Sequence, residues 1–390
     1  MKGFVSKFLF RFLLTCTLTQ LQSISFAQDS SRLRISLLTC TPGEDLYAIF
    51  GHSALRVIDS NNINNRFFDV VYNYGTFDFY DENFYLKFIR GKLLYSVSDE
   101  IFNDFKTAYQ LENRGITEQV LDLSAEEKIN TKKLLIENLR EENRYYKYDF
   151  FLDNCTTRLR DLILKIKKPA VLLPAVMPAN TRFRQAIHQY LDSGKQYWSK
   201  LGIDILLGAK TDAVMTTAQQ QFLPDNLMLA LDKSEPSIVI TSTNLYQLST
   251  NNNKAGWFTP MLFFSSLLIF FLLLSLSKNK YLQMLLKGLD GFLFFATGLL
   301  GIVLIFMWVG TDHSMTKDNY NLWWALPFHI IMAFLINSNK TFVKKYFLFT
   351  AISLLLLLLA WAFLPQQLNI ALIPFVLLLA FRAGVKGVRV

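Results

Sequence analysis

The chain has 390 residues, a mean hydropathy of +0.24 and a formal net charge of +9. This apolar composition excludes an ordinary soluble protein of this size and predicts membrane spans. Much of the positive charge lies beside hydrophobic segments in the C-terminal third, so it indicates membrane topology and not a nucleic-acid partner.

Residues 1–27 have the three parts of a signal peptide: a basic start, an apolar core and the small-residue cleavage site Ser25–Phe26–Ala27. The alternative is a retained anchor, although the apolar run is short for a span. Export would leave Cys40 and Cys155 in an oxidising compartment. They could pair as a disulfide there, or Cys40 could be a buried free thiol at the end of its strand.

Residues 28–168 alternate strand-like and helical patterns, which predicts an α+β domain with a mostly antiparallel sheet packed against helices. The predicted strands are Arg32–Cys40, Ser53–Asp59, Phe67–Tyr74, Leu93–Val97 and Ile116–Leu123, with a turn at Asn61–Asn65. The predicted helices are Glu44–Phe50, Glu82–Arg90, Glu100–Glu112, Ser124–Arg140 and one that begins at Cys155.

Residues 169–255 are predicted to form a mostly helical extension that ends in a linker. Its helices are expected at Arg182–Leu191, Trp198–Leu207 and Asp225–Leu231, followed by a strand at Ile238–Leu248 and the linker Asn251–Asn253.

Residues 256–390 are predicted to form a transmembrane bundle of about five spans. The five apolar runs are Phe258–Leu276, Leu289–Val309, Leu322–Ile336, Tyr346–Leu364 and Leu368–Phe381, of which the third and fifth are short against the roughly 20 residues of a typical span. With the N-terminal domain outside, the inner connections hold the basic residues Lys278, Lys280, Lys287, Lys340, Lys344, Lys345, Arg382, Lys386 and Arg389. This bias places the exported domain on the outer side of the membrane.

A candidate nucleophile lies where an aromatic run ends at Asp153–Asn154 and an amphipathic helix begins with Cys155. A thiol in the first turn of a helix is stabilised as a thiolate by the helix dipole. The chain has four histidines, and His52 alone lies between a glycine and a strand inside the exported domain. We therefore pair Cys155 with His52 as nucleophile and base; the bland alternative is a buried structural thiol and a surface histidine.

A third residue should orient the imidazole. Asn73 is the first candidate, because it stands at a strand end beside Gly75, and Asp69 and Glu44 are the alternatives. The Cys155 N–H and a neighbour from Asn154 are expected to bind the oxyanion, with Asp153 in support.

Several blocks of the sequence resemble one known family, over nearly the whole mature chain. Residues 42–57 (PGEDLYAIFGHSALRV), 72–77 (YNYGTF), 88–93 (FIRGKL), 153–158 (DNCTTR) and 201–208 (LGIDILLG) resemble the Lnb N-terminal periplasmic domain family, and 311–313 (TDH) with 321–324 (NLWW) resemble its membrane half. The resemblance implies a circularly permuted papain-like fold, similar to NlpC-like peptidases and lecithin:retinol acyltransferase-like enzymes, in which the His precedes the Cys. Within these blocks, Arg56, Tyr74, Asp312 and His313 are the candidate substrate-binding residues.

The resemblance further implies a lipoprotein N-acyltransferase of the bacterial inner membrane. Such an enzyme would move an acyl chain from a phospholipid to the α-amino group of a diacylated lipoprotein, through a thioester on Cys155, with no metal or other cofactor. The alternatives are a membrane-tethered cysteine hydrolase acting on peptidoglycan peptides or lipids, and a non-catalytic lipoprotein-binding or assembly factor. The oligomeric state stays open.

Overall fold

The computed structural model describes residues 31–60, 68–247 and 256–388. The predicted signal peptide at 1–27, the turn at Asn61–Asn65 and the linker at Asn251–Asn253 lie outside the described residues.

The N-terminal half is built on an antiparallel sheet, as predicted. Its strands are β1 (Leu33–Cys40), β2 (His52–Asp59), β3 (Phe68–Thr76), β4 (Leu94–Ile101), β5 (Ile116–Leu121), β6 (Tyr145–Lys147) and β7 (Val239–Tyr246). Their spatial order over the described residues is β6-β4-β3-β2-β1-β5-β7. The central strands β1 and β2 are buried almost throughout, and their polar residues Ser36, Ser53 and Arg56 are buried with the apolar ones.

Helices cover both faces of this sheet. The helices of the N-terminal half are α1 (Phe84–Ile89), α2 (Phe102–Leu111), α3 (Ala125–Asn138), α4 (Cys155–Ile166), α5 (Phe183–Ser193), α6 (Tyr197–Leu206), α7 (Thr217–Gln220) and α8 (Pro224–Asp232). Leu159 and Ile163 of α4 pack with Leu37 and Leu55 on one face, together with α3 and α8. Phe105 of α2 packs on the other face.

One helix prediction was wrong, and another began two residues too early. Residues 44–50 form turns, because the segment must bend sharply between β1 and β2. The predicted helix Glu100–Glu112 begins only at Phe102, since Glu100 belongs to β4 and pairs with Val71 of β3. This shift of two residues places the Glu100 side chain on the sheet.

The helical extension is joined to the sheet and is stabilised by a buried charge cluster. Strand β7 pairs with β5, so residues 28–168 and 169–255 share one sheet. The fully buried Arg184 donates to Asp204 and to Asp212 at 2.8 and 3.0 Å. Buried ion pairs of this kind fix a single arrangement of the helices that carry them.

The C-terminal part contains long apolar helices. They are α9 (Pro260–Leu276), α10 (Lys280–Val309), α11 (His329–Leu335), α12 (Thr341–Ala360) and α13 (Ile373–Val388). Three helical stretches among the described residues are long and apolar enough to cross a membrane: Lys280–Val309, Thr341–Ala360 and Ile370–Val388. The first apolar run gives the shorter α9, and the third run is broken into a 3-10 turn and the seven-residue α11, which begins two residues after Pro327.

Two basic residues assigned to an inner connection lie inside a helix instead. Arg382 and Lys386 are buried on α13, and both pair with Asp290 of α10 at 2.7 and 2.8 Å. They stabilise the bundle, because an unpaired charge would be costly there.

The segment between α10 and α11 connects the two halves. The Gly208 N–H donates to the Met315 carbonyl at 2.8 Å, and Asn321 donates to the carbonyls of Asp204 and Ile205. Residues 201–208 therefore bind the segment that follows α10. These contacts hold the membrane part against the sheet domain.

Candidate functional site

Cys155 is the first residue of α4, at the edge of the sheet where β2 begins and β3 ends. Asn154 caps the helix with its side-chain oxygen, which accepts from the Thr157 N–H at 2.9 Å. As the first helical residue, Cys155 has an N–H without an intrahelical acceptor. The predicted position of the thiol at a helix start is confirmed.

His52 reaches this thiol from the start of β2. The His52 side chain and the neighbouring Ser53 N–H are close enough to the Cys155 sulfur to lower the pKa of the thiol. Strand and helix are also tied by Ser53 Oγ and Thr156 Oγ1, which are 3.0 Å apart. The two residues that the sequence paired thus form one site.

Asn73 and Glu100 extend the site behind the imidazole. His52 Nε2 lies 3.0 Å from Asn73 Oδ1, and Asn73 Nδ2 donates to Glu100 Oε1 at 2.7 Å. Because an amide oxygen only accepts, Nε2 carries the proton and Nδ1 is the nitrogen able to take a proton from the thiol. Of the three candidates for an orienting residue, Asn73 is the one in contact with His52.

Two glycines permit the close approach of these elements. Gly51 has φ +77°, and a Cβ there would lie 2.6 Å from the Cys40 carbonyl oxygen. Gly75 has φ +88°, and a Cβ there would lie 3.7 Å from Cys155 Cβ. A side chain at Gly51 would clash with the Cys40 carbonyl, and at both positions the positive φ would strain any residue other than glycine.

The electrostatics favour a thiolate. Burial raises the pKa of Cys155, but the charge and hydrogen bond of His52, the Ser53 N–H and the Thr156 hydroxyl outweigh it and lower the pKa from 9.0 to about 7. Burial lowers the pKa of His52, whereas Cys155 and the hydrogen bond to Asn73 raise it, and the net direction is upward. The pair therefore stabilises a thiolate beside an imidazolium.

Cys40 is close to this site but is not part of a disulfide. It is the Cα partner of His52 in the β1–β2 ladder, and both Cys40 and Cys155 are free thiols. The predicted alternative of a buried free thiol at the end of β1 therefore holds in the structure.

The residues expected to support the oxyanion have other partners. The Asn154 side-chain amide donates to the carbonyls of Phe150 and Phe222, and its backbone N–H donates to Thr157 Oγ1. Asp153 forms a two-point ion pair with Arg158 at 2.7 and 2.8 Å. Both residues hold the start of α4 in position.

Four other predicted residues have partners outside the Cys–His pair. Arg56 is buried between Asp69 and Glu118, with its guanidinium 3.3 Å from the centre of the Phe102 ring. Asp69 is thus occupied by this ion pair. The Tyr74 hydroxyl accepts from Asn138 at 2.6 Å, and the Glu44 carbonyl accepts from Gln196.

Asp312 and His313 lie where the membrane part meets the sheet domain. The Asp312 side chain pairs with Lys147 at 3.3 Å, and His313 Nε2 lies 3.1 Å from the Phe88 and Ile89 carbonyl oxygens. Both residues line a cavity of about 200 Å³.

The sequence reasoning missed Glu100 and Tyr146. The sequence predicts Glu100 in a helix, whereas its pairing with Val71 places it in β4. The Tyr146 hydroxyl is buried without a hydrogen-bond partner among the described residues and lies 3.8 Å from an ideal Cβ on Gly75. The aromatic run before Cys155 was visible, but nothing in it singled out this hydroxyl.

Over the described ranges, no group of three or more His, Cys, Asp or Glu side chains could hold a metal ion. The site geometry is that of a Cys–His pair.

Comparison with protein families gives two matches that agree with the resemblance. Residues 23–186 match the Lnb N-terminal periplasmic domain, and residues 251–389 match the Lnb transmembrane domain. Comparison with curated proteins and with solved structures gave no match. The chain belongs to the Lnb-type family, with an N-terminal periplasmic domain and a C-terminal membrane part.

Proposed function

We propose that this membrane protein is a lipoprotein N-acyltransferase with Cys155 as nucleophile and His52 as general base and acid. The observation that carries the proposal is the placement of His52, held by Asn73, beside Cys155 at a helix start, where the pKa of the thiol is lowered to about 7 despite burial. A nucleophilic cysteine requires this combination of partner and helix N-terminus.

A circularly permuted papain-like fold for the periplasmic domain agrees with the chain order. The base lies on β2, the nucleophile follows on α4, and the antiparallel sheet lies between α2 and α4. We further propose that residues 256–390 cross the inner membrane five times. In this arrangement α9 and the broken segment that contains α11 supplement the three longer stretches.

The first half-reaction forms a thioester. His52 Nδ1 takes the thiol proton, and the Cys155 sulfur attacks an ester carbonyl of a phospholipid. The carbon–oxygen bond to the glycerol breaks, and His52 returns its proton to the leaving alkoxide, which departs as a lysophospholipid alcohol.

The second half-reaction forms an amide. The α-amine of a diacylated lipoprotein attacks the thioester carbonyl, and His52 takes a proton from the amine. The carbon–sulfur bond breaks, and the thiolate regains the proton from His52. The site is then restored without a cofactor.

Two donors are available to the oxygen that becomes negative in both half-reactions. The Cys155 N–H is the first of α4. The buried Tyr146 hydroxyl, unpartnered within the described structure, is the second. A donor held near the reacting carbonyl stabilises the transition state without reorganisation.

The proposal is tested with purified full-length protein in phospholipid, given a synthetic diacylated lipopeptide. Mass spectrometry should find an acyl adduct on Cys155 when the lipopeptide is withheld, and an N-acylated lipopeptide when it is supplied. An adduct that water clears while the lipopeptide amine stays unmodified would identify a hydrolase instead. If neither adduct nor product forms, a non-catalytic lipoprotein-binding role is left.

A further inference from the structure

An aromatic segment, residues 77–89, stands out on the surface of the periplasmic domain. Among its side chains Tyr80 is 96% exposed, Tyr85 is 77% exposed and Phe79 is 62% exposed. Leu86, Phe88 and Ile89 are also exposed. Contiguous exposed apolar surface of this kind marks an interaction site, because water solvates it poorly.

The aromatic segment is anchored close to the end of a candidate span. Asp312 donates its N–H to the Arg90 carbonyl at 2.9 Å, and His313 lies 3.1 Å from the carbonyl oxygens of Phe88 and Ile89. Helix α10 ends at Val309, so Asp312 follows that end by three residues. Three residues span at most about 11 Å. This places the anchor in or next to the headgroup layer, which is about 5–8 Å thick on each side.

The composition of the aromatic segment fits that layer. Tyrosine rings favour the boundary between headgroups and acyl chains, because the ring is apolar and the hydroxyl is polar. Arg90 and Lys92 follow directly and are exposed. Basic side chains at this level attract lipid phosphates.

A cavity joins the aromatic segment to the catalytic side of the domain. It holds about 200 Å³, and its lining includes Phe88 from the segment, His313 from the membrane part and Tyr148. Tyr148 also lies 3.4 Å from an ideal Cβ on Gly75, and Cys155 Cβ lies 3.7 Å from the same point. The volume is below the roughly 300–1,000 Å³ of small-molecule pockets, so it admits part of a lipid and not a whole one.

We propose that the aromatic segment inserts its exposed rings into the outer leaflet of the membrane that holds the spans, and that a phospholipid chain enters laterally past Phe88 toward Cys155. The occupant of this surface is the lipid itself. The insertion is independent of the reaction, whereas lateral entry rests on the proposed acyl transfer.

Insertion is measured with a fluorescent thiol label on Tyr80→Cys in the full-length protein, in a Cys155→Ala background, reconstituted into phospholipid vesicles. Lipids that carry a spin label near the headgroup should quench this fluorescence strongly. The matched control is Ile129→Cys on α3, which is also exposed. Ile129 lies one turn before Lys132, whose partner Asp59 is at the opposite end of β2 from His52. Equal quenching of the two labels would overturn the proposal.

Lateral entry is measured with the Tyr80→Asp, Tyr85→Asp double variant. We expect the KM for vesicle phospholipid to rise about tenfold, since two interfacial rings are lost, while a short-chain ester dissolved in water reacts at the unchanged rate. An unchanged KM for vesicle phospholipid would overturn lateral entry. If the unsubstituted protein transfers no acyl chain but its Tyr80 label is quenched, the proposed reaction fails and the membrane surface stands.

Discussion

The two cysteines of the periplasmic domain lie on either side of His52 and have opposite chemistry. Both are buried and both are free. Burial raises the pKa of Cys40 to about 12, against weaker lowering by a hydrogen bond from Tyr109 and by the charge of Arg114. The pKa of Cys155 is lowered to about 7, although burial raises it there too.

Both are buried cysteines, so the difference comes from the groups that surround each sulfur. Cys40 ends a strand, and its Cα faces that of His52 across the ladder. Cys155 begins a helix, receives the hydrogen bond of His52 and accepts from the Ser53 N–H. A thiol becomes a nucleophile when donors and positive charge converge on its sulfur.

The largest expected effect is the contrast between removing each thiol. Cys155→Ala should abolish the acyl adduct and N-acylation, since the proposed thioester forms on the Cys155 sulfur. Cys40→Ala should keep transfer within about twofold, because its thiol is protonated at neutral pH. Mass spectrometry of a lipopeptide acceptor measures both variants. The prediction would be wrong if Cys155→Ala still transferred an acyl chain, or if a folded Cys40→Ala protein did not.

His52→Gln should make the two thiols alike. The variant keeps a side-chain N–H toward Asn73 but loses the base and the positive charge, so kcat should fall by about 10²–10⁴. Thiolate is populated above its pKa, so alkylation of Cys155 by iodoacetamide should rise with a midpoint near pH 7 in the unsubstituted protein.

In His52→Gln, burial still raises the pKa of Cys155, but the charge of His52 that mainly lowered it is gone. The alkylation midpoint of Cys155 should therefore move above the ordinary value of 9.0. Alkylation of Cys40, followed in the same digest, should stay negligible in both proteins and serves as the internal control. A midpoint that stays near 7 would show that His52 does not set the thiol pKa.

Tyr146→Phe tests whether the donors around Cys155 serve the transition state. We expect kcat to fall by about 10²–10³ with little change in KM, as for the loss of one oxyanion donor. The alkylation midpoint of Cys155 should stay near 7, because Tyr146 does not bond the sulfur. The matched control is Tyr74→Phe, whose hydroxyl is bound to Asn138; equal losses in the two variants would assign Tyr146 a packing role.

Much of this site could be predicted from the sequence because its parts are local. Asn154 followed by Cys155 and an apolar stripe specifies a capped helix start, and Gly51–His52 specifies a strand start after a turn. The pairing of His52 with Cys155 spans 103 residues; it was predicted from the position of His52 beside a strand in the exported domain, and the family blocks agree with it. The family assignment is confirmed over residues 23–186 and 251–389, and the structure confirms a sheet-containing N-terminal domain with helices.

The parts that the sequence did not reveal depend on tertiary contacts. Glu100 has a helix-like sequence context, yet pairing with Val71 draws it into β4. The third apolar run has the composition of a span, yet Pro327 and a polar 3-10 turn break it. Arg56 and Asp69 had polar patterns that suit a site, and their mutual ion pair is visible only once β2 and β3 are in register.

The smallest expected effect comes from the residue behind the imidazole. Asn73→Ala should lower kcat by about 10- to 100-fold, since His52 keeps its contact with Cys155 but loses the acceptor that fixes its tautomer. It also removes a contribution that raises the pKa of His52, so the imidazolium should lose its proton at lower pH. The pH dependence of kcat, compared between Asn73→Ala and His52→Gln, separates this positioning effect from loss of the base.

Glu100→Gln keeps the length of the side chain that contacts Asn73. It should lower kcat less than Asn73→Ala does. If Glu100→Gln lowers kcat more than Asn73→Ala does, the charge of the Glu100 carboxylate, and not the Asn73 oxygen, holds the imidazole of His52 in place.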